Sequence, residues 1–370
     1  MANEEEARLH YPLGDQLPDP GASLEVAAGV RWVRLPLPFA LDHINVWLVR
    51  DHMEINGQRQ DGWTVVDCGV CKPALQDQWR QVFETQLEGL PVLRVLVTHM
   101  HPDHVGLAHW ICEQWTTTDH TCRLWMSATD YNMAALGTQG GTGFGGDEAA
   151  AFFRSHGMTD PEQLGGMHER RGYYSGLVPA IPKAYRRLQD GMRVRIGDHD
   201  WECIAGFGHA PEHMALSQPE LGVLIAGDMV LPRISTNVSV YNSEPESNPL
   251  QSFLDSLLRY LPLRADTLVL PSHGKPFGAA PRDPQAHGLH ERIRQLQSHH
   301  AERLAEVLEA CQTQACSGMD IVPIMFKRPL SLHQISFALG EAIAHLHALW
   351  YRGDLRRRQG EDGVWRFCAA

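Results

Sequence analysis

Thr98-His99-Met100-His101-Pro102-Asp103-His104 follows directly on the apolar run 92–97. That run is short, interrupted only by Arg94, and typical of a largely buried β-strand. Four side chains able to bind a metal therefore crowd the exit of one strand. In an extended segment residues two apart point the same way, so we expect His99 and His101 to converge on one ion. Asp103 and His104 can then turn toward a second ion.

Three further motifs place a histidine or an aspartate just after a predicted strand. Gly208-His209 follows the strand at 201–205, Gly227-Asp228 follows 221–226, and Ser272-His273-Gly274 follows 267–270. Loops at one edge of a sheet can gather ligands from distant parts of a chain. Imidazole and carboxylate together suit zinc or another first-row metal. Asp67 follows a strand at 63–66, and we expect it to orient a ligand histidine.

The ordered series His-x-His-x-Asp-His, Gly-His, Gly-Asp and Ser-His-Gly resembles the metallo-β-lactamase superfamily, and more narrowly its glyoxalase II-like hydrolases, over residues 25–280. The resemblance implies an α+β fold, an αββα sandwich. It also implies two metal sites, the first held by His99, His101 and His209 and the second by Asp103, His104 and His273. Asp228 would bridge the two metals. His213 would be a neighbour of the ligands and not a ligand itself.

The same resemblance implies a reaction. Two divalent ions, zinc by default with manganese or iron as alternatives, would share a bridging hydroxide that attacks an ester or thioester carbonyl. Asp103 is the predicted catalytic residue, which would position the hydroxide and shuttle its proton. Acyl thioesters of coenzyme A or glutathione are the favoured small-molecule substrates. A lactonase or β-lactamase is less favoured, since true β-lactamases generally lack the aspartate found here at Asp228.

The length of 370 residues predicts one large domain plus a smaller one. We expect an N-terminal arm at 1–25, a metallo-β-lactamase domain at 26–285, and a C-terminal domain at 286–370, with the boundary near 281–286. Residues 127–190 are expected to form a helical insertion, interrupted by a Gly-rich stretch at 137–146. That insertion is either a lid over the site or a flexible surface segment. Its aromatic residues either shape an acyl pocket or form its core: Phe144, Phe152, Tyr173 and Tyr174.

The C-terminal segment is predicted to contain a long helix at about 288–310 and a helix that begins at Ser331 and stops at Gly353. Two short strands follow, at 355–358 and 364–367. Helices followed by a hairpin resemble the winged-helix domain of some superfamily members, one group of which cleaves RNA. An endoribonuclease or phosphodiesterase is therefore the alternative function, with four arginines available for phosphates: Arg352, Arg356, Arg357 and Arg358.

Charge disfavours nucleic acid as a partner without excluding it. The net charge is −12, and residues 286–370 carry ten Lys and Arg against nine Asp and Glu. Asn56-Gly57 and Asp61-Gly62 are predicted hairpin turns. The N-terminal residues show no secretory signal and no apolar stretch is long enough to cross a membrane, so we expect a cytoplasmic protein, which could form a homodimer. The eight cysteines are then expected to be free thiols.

Overall fold

The computed structural model describes residues 5–39, 41–140, 144–278 and 287–370. Within them, two sheets face each other. The first has strand order β1 to β7: β1 (Leu24–Ala27), β2 (Val30–Pro36), β3 (His43–Ile55), β4 (Gln58–Val66), β5 (Val92–Leu96), β6 (Arg123–Ser127) and β7 (Tyr185–Leu188). The second has the order β12-β11-β10-β9-β8: β8 (Arg193–Ile196), β9 (His199–Gly206), β10 (His213–Gln218), β11 (Val223–Gly227) and β12 (Leu268–Pro271).

Helices cover the outer faces of both sheets. They are α1 (Pro73–Thr85), α2 (Pro102–Val105), α3 (Ala108–Trp115), α4 (Ala128–Thr138), α5 (Asp147–Arg154), α6 (Pro161–Glu169), α7 (Pro249–Leu258), α8 (Leu289–Thr313), α9 (Gly318–Met325) and α10 (Leu332–Arg352). A core containing Trp32, Trp47 and Trp201 fills the space between the sheets. The predicted αββα sandwich is therefore confirmed.

Parallel pairing decides where the site forms. In the first sheet β4 pairs with β5 and β5 with β6 in parallel, and in the second β11 pairs with β12 in parallel. The carboxyl ends of parallel neighbours meet at one edge of a sheet. The segments that follow β4, β5, β11 and β12 carry the predicted site residues, so the topology brings those segments together.

One of the two predicted hairpin turns is wrong. Asn56 and Gly57 connect β3 to β4 with φ of 52° and 75°, as a two-residue hairpin requires. Asp61 and Gly62 instead lie inside β4. Glycine at that position serves packing, because a Cβ on Gly62 would lie 2.5 Å from the Pro91 carbonyl oxygen.

The segment 127–190 is helical only in part. It contains α4, α5 and α6 but ends in strand β7, which extends the first sheet next to β6. Part of its Gly-rich stretch, residues 141–143, lies outside the described residues. The N-terminal arm folds back on the molecule: Leu9 forms a β-bridge with His287, and β1 begins at Leu24.

The C-terminal segment consists of α8, α9, α10 and the hairpin of β13 (Leu355–Gln359) and β14 (Trp365–Ala369). Ser331 caps α10 through a capping box and Gly353 ends it at a φ of 84°, as predicted. Apolar residues of α8 and α10 share one continuous core with α7 and the outer face of the second sheet. The predicted domain boundary at 281–286 lies outside the described residues. No helix in the described ranges is long and apolar enough to cross a membrane.

Candidate metal centre

The change of backbone conformation within the first motif turns its four side chains in two directions. His101 is extended, with φ of −62° and ψ of 147°, and immediately precedes α2. Pro102 starts that helical turn, which carries Asp103 and His104. His99 and His101 therefore face one way from extended backbone, and the two helical residues face another.

The first group of potential ligand atoms is a triangle of imidazole nitrogens. His99 Nε2 lies 2.9 Å from His101 Nδ1 and 3.1 Å from His209 Nε2, and His101 Nδ1 lies 3.0 Å from His209 Nε2. Asp228 Oδ2 completes the group, 3.3 Å from His209 Nε2. These four side chains form one cluster that could hold a metal ion. Nitrogen separations near 3 Å suit ligands that each lie about 2.0–2.1 Å from a shared ion.

A second cluster that could hold a metal ion contains Asp103, His104 and His273. Asp103 Oδ2 lies 3.4 Å from His273 Nε2 and 3.7 Å from His104 Nε2. Asp228 Oδ1 lies 3.5 Å from His104 Nε2 and 3.6 Å from His273 Nε2. The Asp228 carboxylate thus directs one oxygen to each cluster, and all seven predicted ligand side chains come together.

In His209 and His273, a hydrogen bond from Nδ1 to the protein backbone orients the ring so that Nε2 faces the cluster. His209 Nδ1 donates to the carbonyl oxygen of Asn237 at 2.8 Å, and His273 Nδ1 donates to that of His43 at 2.8 Å. A proton held on Nδ1 leaves Nε2 as the unprotonated nitrogen that faces the cluster. Asn237 and His43 act through backbone carbonyls, so their residue types carry no sequence signal for this role.

Asp67 lies behind the residues of the two clusters. Its Oδ2 accepts from His104 Nδ1 at 2.8 Å and from Thr98 Oγ1 at 2.9 Å, and its Oδ1 accepts from Thr98 N at 2.8 Å. Thr98 Oγ1 lies 3.0 Å from His99 Nδ1. Thr98, for which no role was predicted, therefore links Asp67 to a histidine of the first cluster.

Burial and local charge shift the histidine pKa values in opposite directions in the two clusters. In the first, burial lowers the pKa of His101 to about 3 and that of His99 well below its usual value, so these imidazoles are neutral and ready to bind a metal. In the second, burial opposes the charged imidazole of His273, but the Asp228 and Asp103 carboxylates outweigh it and raise its pKa to about 10. Burial likewise opposes charge on His104, yet nearby carboxylates raise its pKa well above the ordinary value.

The donor set fits divalent cations. His104 Nε2 and Asp228 Oδ1 are buried and have no hydrogen-bond partner. Unpartnered buried polar atoms carry a desolvation cost unless a ligand satisfies them. The carboxylates of Asp67, Asp103 and Asp228 also demand compensating positive charge in this buried place. Cations bound between the imidazole and carboxylate ligands would satisfy both requirements.

His213 supports the centre from behind, on β10. It is fully buried, and its Nε2 accepts from the backbone N–H of Asp228 at 3.2 Å. Its ring fills the space beside Gly227, where a Cβ would overlap the imidazole. Neither cluster includes it. The structure thus places His213 as a neighbour of Asp228, where the sequence pattern placed it.

Asp130 is a buried carboxylate that the sequence did not single out. Its Oδ1 accepts from Met100 N at 2.8 Å and its Oδ2 accepts from Glu212 N at 2.6 Å. Burial raises the pKa of Asp130 to about 6, against the effect of those hydrogen bonds. It ties the first motif to the segment that follows His209. A single aspartate early in a predicted helix is indistinguishable from an ordinary helix-start residue.

A cavity of about 400 Å³ opens beside the first cluster and is bordered by His101 and His209. Its other walls are apolar or carry small hydroxyl and amide groups, and include Met133, Phe144, Phe207, Tyr241, Ser243 and Asn248. Among the four aromatic residues proposed for a pocket, Phe144 lines this cavity, whereas Phe152 and Tyr174 lie in the hydrophobic cores.

The chain was compared with known proteins. The pattern of the metallo-beta-lactamase superfamily matches residues 40–273, and that of the metallo-beta-lactamase-like C-terminal domain matches residues 304–370. A beta-lactamase domain protein from Burkholderia ambifaria is 52% identical over 100% of both chains, with a TM-score of 0.90. A metallo-beta-lactamase family protein from Thermus thermophilus is 25% identical, covering 94% of this chain and 100% of that one, with a TM-score of 0.70.

A curated relative, the probable metallo-hydrolase YqjP of Bacillus subtilis, is 25% identical over 253 residues, which are 66% of this chain and 71% of that protein. The matched superfamily region spans well over half of the chain and contains the first ligand motif, His209, Asp228 and His273. The chain belongs to the metallo-beta-lactamase superfamily and is a metallo-hydrolase by that membership.

Proposed function

We propose that this protein is a dinuclear metal-dependent hydrolase, with zinc as the default metal, that cleaves an ester or thioester bond of a small acyl substrate. The observation that carries the proposal is the Asp228 carboxylate, whose Oδ2 faces the histidine triangle and whose Oδ1 faces the second cluster. A carboxylate shared in this way supports two ions side by side. His99, His101 and His209 would hold one, and Asp103, His104 and His273 the other.

Two such ions, when bound, lower the pKa of water toward neutrality and polarise a carbonyl oxygen. The protein's own contribution is to position groups around them. Asp103 is the most exposed carboxylate of the centre, with 18% of its side chain accessible against 9% for Asp228. It is therefore placed to accept the proton of the attacking water and to pass that proton to the leaving group.

The composition of the cavity favours an acyl group as its occupant. Its volume of about 400 Å³ falls within the range of small-ligand sites. The described lining residues include no lysine or arginine, and Glu244 is the one carboxylate among them. A neutral acyl chain would pack against Met133 and Phe144, while its carbonyl would lie beside His101 and His209. A phosphodiester in the same place would meet the metal ions but no lysine or arginine among the described lining residues.

One of the four C-terminal arginines proposed to contact phosphates, Arg357, is not available to a nucleic acid. Arg357 is enclosed by the protein: its side chain is 11% exposed, it pairs with Glu246 at 2.5 Å, and it lies between the rings of Trp350 and Trp365. It is not free to contact a phosphate. RNA cleavage is therefore kept as an outcome of the experiment, not as a second proposal.

The test is thiol release by metal-loaded protein from a panel of acyl thioesters of coenzyme A and glutathione, with structured and single-stranded RNA in parallel. We expect thioester cleavage that is abolished in His101→Ala and retained in His199→Ala, a control that removes a partly exposed histidine paired with Glu220. Cleavage of RNA without thioester turnover would refute the proposal. Equal activity of the wild type and His101→Ala would also refute it, since the assigned centre would then be idle.

A further inference from the structure

Arg170 places a positive charge next to the candidate metal centre without an acidic partner. It begins the short 3-10 turn Arg170–Gly172 that follows α6. We propose that Arg170 binds a carboxylate of the substrate, so that the preferred ester or thioester is an anionic one. The inference rests on the proposed function for the reaction and adds the charge of the substrate and the residue that recognises it.

Two neighbouring groups, Tyr173 and the segment 144–145, connect Arg170 to the centre. Its guanidinium carbon lies 4.6 Å from the ring centroid of Tyr173. Burial raises the pKa of Tyr173, the Asp103 carboxylate raises it further and Arg170 lowers it, so Tyr173 is within electrostatic reach of both charges. On the other side, the ring of Phe144 lies 5.8 Å from that of His101, and a Cβ on adjacent Gly145 would be 2.5 Å from Arg170 Cβ.

The guanidinium is poorly satisfied where it lies. Its Nη1 donates to Ser336 Oγ on α10 at 2.8 Å, while its Nε is buried and has no hydrogen-bond partner among the residues that the structure describes. No ion pair involves it within the described ranges of the chain. Burial lowers the pKa of Arg170, which is the effect of partial desolvation. An arginine that has lost water contacts without gaining an anion carries a cost that a bound carboxylate would remove.

Other buried arginines of the same chain are paired. Arg94 bonds Asp51 through two nitrogens at 2.9 and 2.8 Å. Arg292 donates to the carbonyl oxygens of Leu231 and Ile234 at 2.6 and 2.9 Å. Arg357 pairs with Glu246 at 2.5 Å. In contrast to these arginines, Arg170 has aromatic neighbours and one hydrogen bond to a hydroxyl group, so its charge is available to a ligand.

The surroundings of Arg170 suit a planar carboxylate. Tyr173 lies against the guanidinium plane, and the ring of Phe337 lies 6.0 Å from the guanidinium carbon. Aromatic neighbours of this kind fix the plane of the guanidinium fork, whose geometry matches the two oxygens of a carboxylate. The nearby cavity has no cation among its described lining residues. The neutral and anionic ends of a substrate would therefore occupy different places.

The experiment uses three thioesters that differ by one carboxylate. Valeryl-N-acetylcysteamine is neutral, glutaryl-N-acetylcysteamine carries the charge on the acyl side, and valeryl-N-acetylcysteine carries it on the thiol side. We expect the wild type to favour at least one charged compound. Arg170→Gln should lower kcat/KM for that compound about 10- to 100-fold, through KM, the loss expected for a charge-assisted hydrogen bond. The neutral compound should change by less than about threefold.

Two further variants complete the test. Arg171→Gln removes the neighbouring exposed arginine, which pairs with Asp147, and should leave all three rates unchanged. Arg170→Lys keeps the charge and should recover part of the preference. An equal loss on all three thioesters in Arg170→Gln would overturn the proposal, because that is the result of a structural role. A wild type without preference for either charged compound would overturn it as well.

Failure of the proposed function can be told apart from failure of this inference. If the wild type cleaves no thioester, the reaction is wrong, and the anion site is then judged by calorimetry with butyrate and its neutral amide, butyramide. Butyrate binding that is weaker in Arg170→Gln than in the wild type, with butyramide unchanged, supports a carboxylate site. Equal butyrate affinity in the two proteins refutes it.

Discussion

Replacing Asp67 with asparagine removes a charge behind the metal centre while keeping the shape of the side chain. Asp67 has a φ of 62°, a left-handed conformation that asparagine tolerates well, so the backbone should be preserved. Its Oδ2 accepts from His104 Nδ1 at 2.8 Å and from Thr98 Oγ1 at 2.9 Å. Loss of such a partner typically weakens metal binding 10- to 100-fold, or about 1.4–2.7 kcal/mol.

The structure also predicts which ion is weakened more. Asp67 contacts His104 of the second cluster directly, but it reaches His99 of the first only through Thr98. Titration of metal-free protein against a competing chelator should therefore show a larger loss of affinity at the second cluster. Asp61→Asn is the matched control, on the strand that Asp67 follows and paired with Arg59 at the surface. Wild-type affinities in Asp67→Asn, or the same loss in Asp61→Asn, would refute the reasoning.

Three other substitutions probe the centre and its support. Gly227→Ala should lower the free energy of unfolding by about 1–3 kcal/mol more than Gly222→Ala, as measured by urea unfolding. Both glycines have positive φ, but only at Gly227 would the new Cβ clash with a neighbour, the His213 ring. Asp228→Ala should bind one metal instead of two and lose most turnover, and two metals with full turnover would exclude the bridging role. Burial raises the pKa of Glu341 from 4.5 to about 7, so the stability that its protonated form contributes is fully present below pH 4.5 and is lost as pH rises through 7. The free energy of unfolding of Glu341→Gln, relative to that of the wild type, should therefore increase by about 2–3 kcal/mol between pH 5 and 8. A difference in urea unfolding that stays constant over this pH range would contradict the prediction.

The centre was predictable because each ligand follows an apolar strand, and because a sheet brings such strand ends together. The four motifs carry their chemistry in the residue types themselves: two histidines in extended backbone, an acid and a histidine in a helical turn, and single ligands at 209, 228 and 273. The local sequence therefore indicates both which residue can bind a metal and that this residue lies at the end of a strand. The role predicted for Asp67 followed from its position after a strand, and that of His213 from the family resemblance; Asp67 contacts His104, and His213 contacts the backbone of Asp228.

Elements without an apolar alternation were missed. Strand β7 has the sequence Tyr-Arg-Arg-Leu, which lies at an edge of the sheet and is largely exposed, so its pattern is that of a polar loop. Strand β10 begins at His213, within the motif interpreted as a ligand loop, and all six of its residues are buried. Gly62 resembled a turn residue because close approach of the Pro91 backbone and positive φ both select glycine, and sequence alone does not separate them.

The supporting contacts from α10 could not be predicted, because they depend on how a distant helix packs across the site. Asn237, whose carbonyl orients His209, also donates its side-chain amide to Glu341 Oε2 at 3.1 Å. One turn and a half earlier on the same helix, Ser336 holds Arg170. Two positions of α10 therefore connect to the site: Glu341 contacts Asn237, and Ser336 contacts Arg170. Because α10 shares its core with α7 and the second sheet, the C-terminal segment supports both places while the two clusters draw their residues from the rest of the chain.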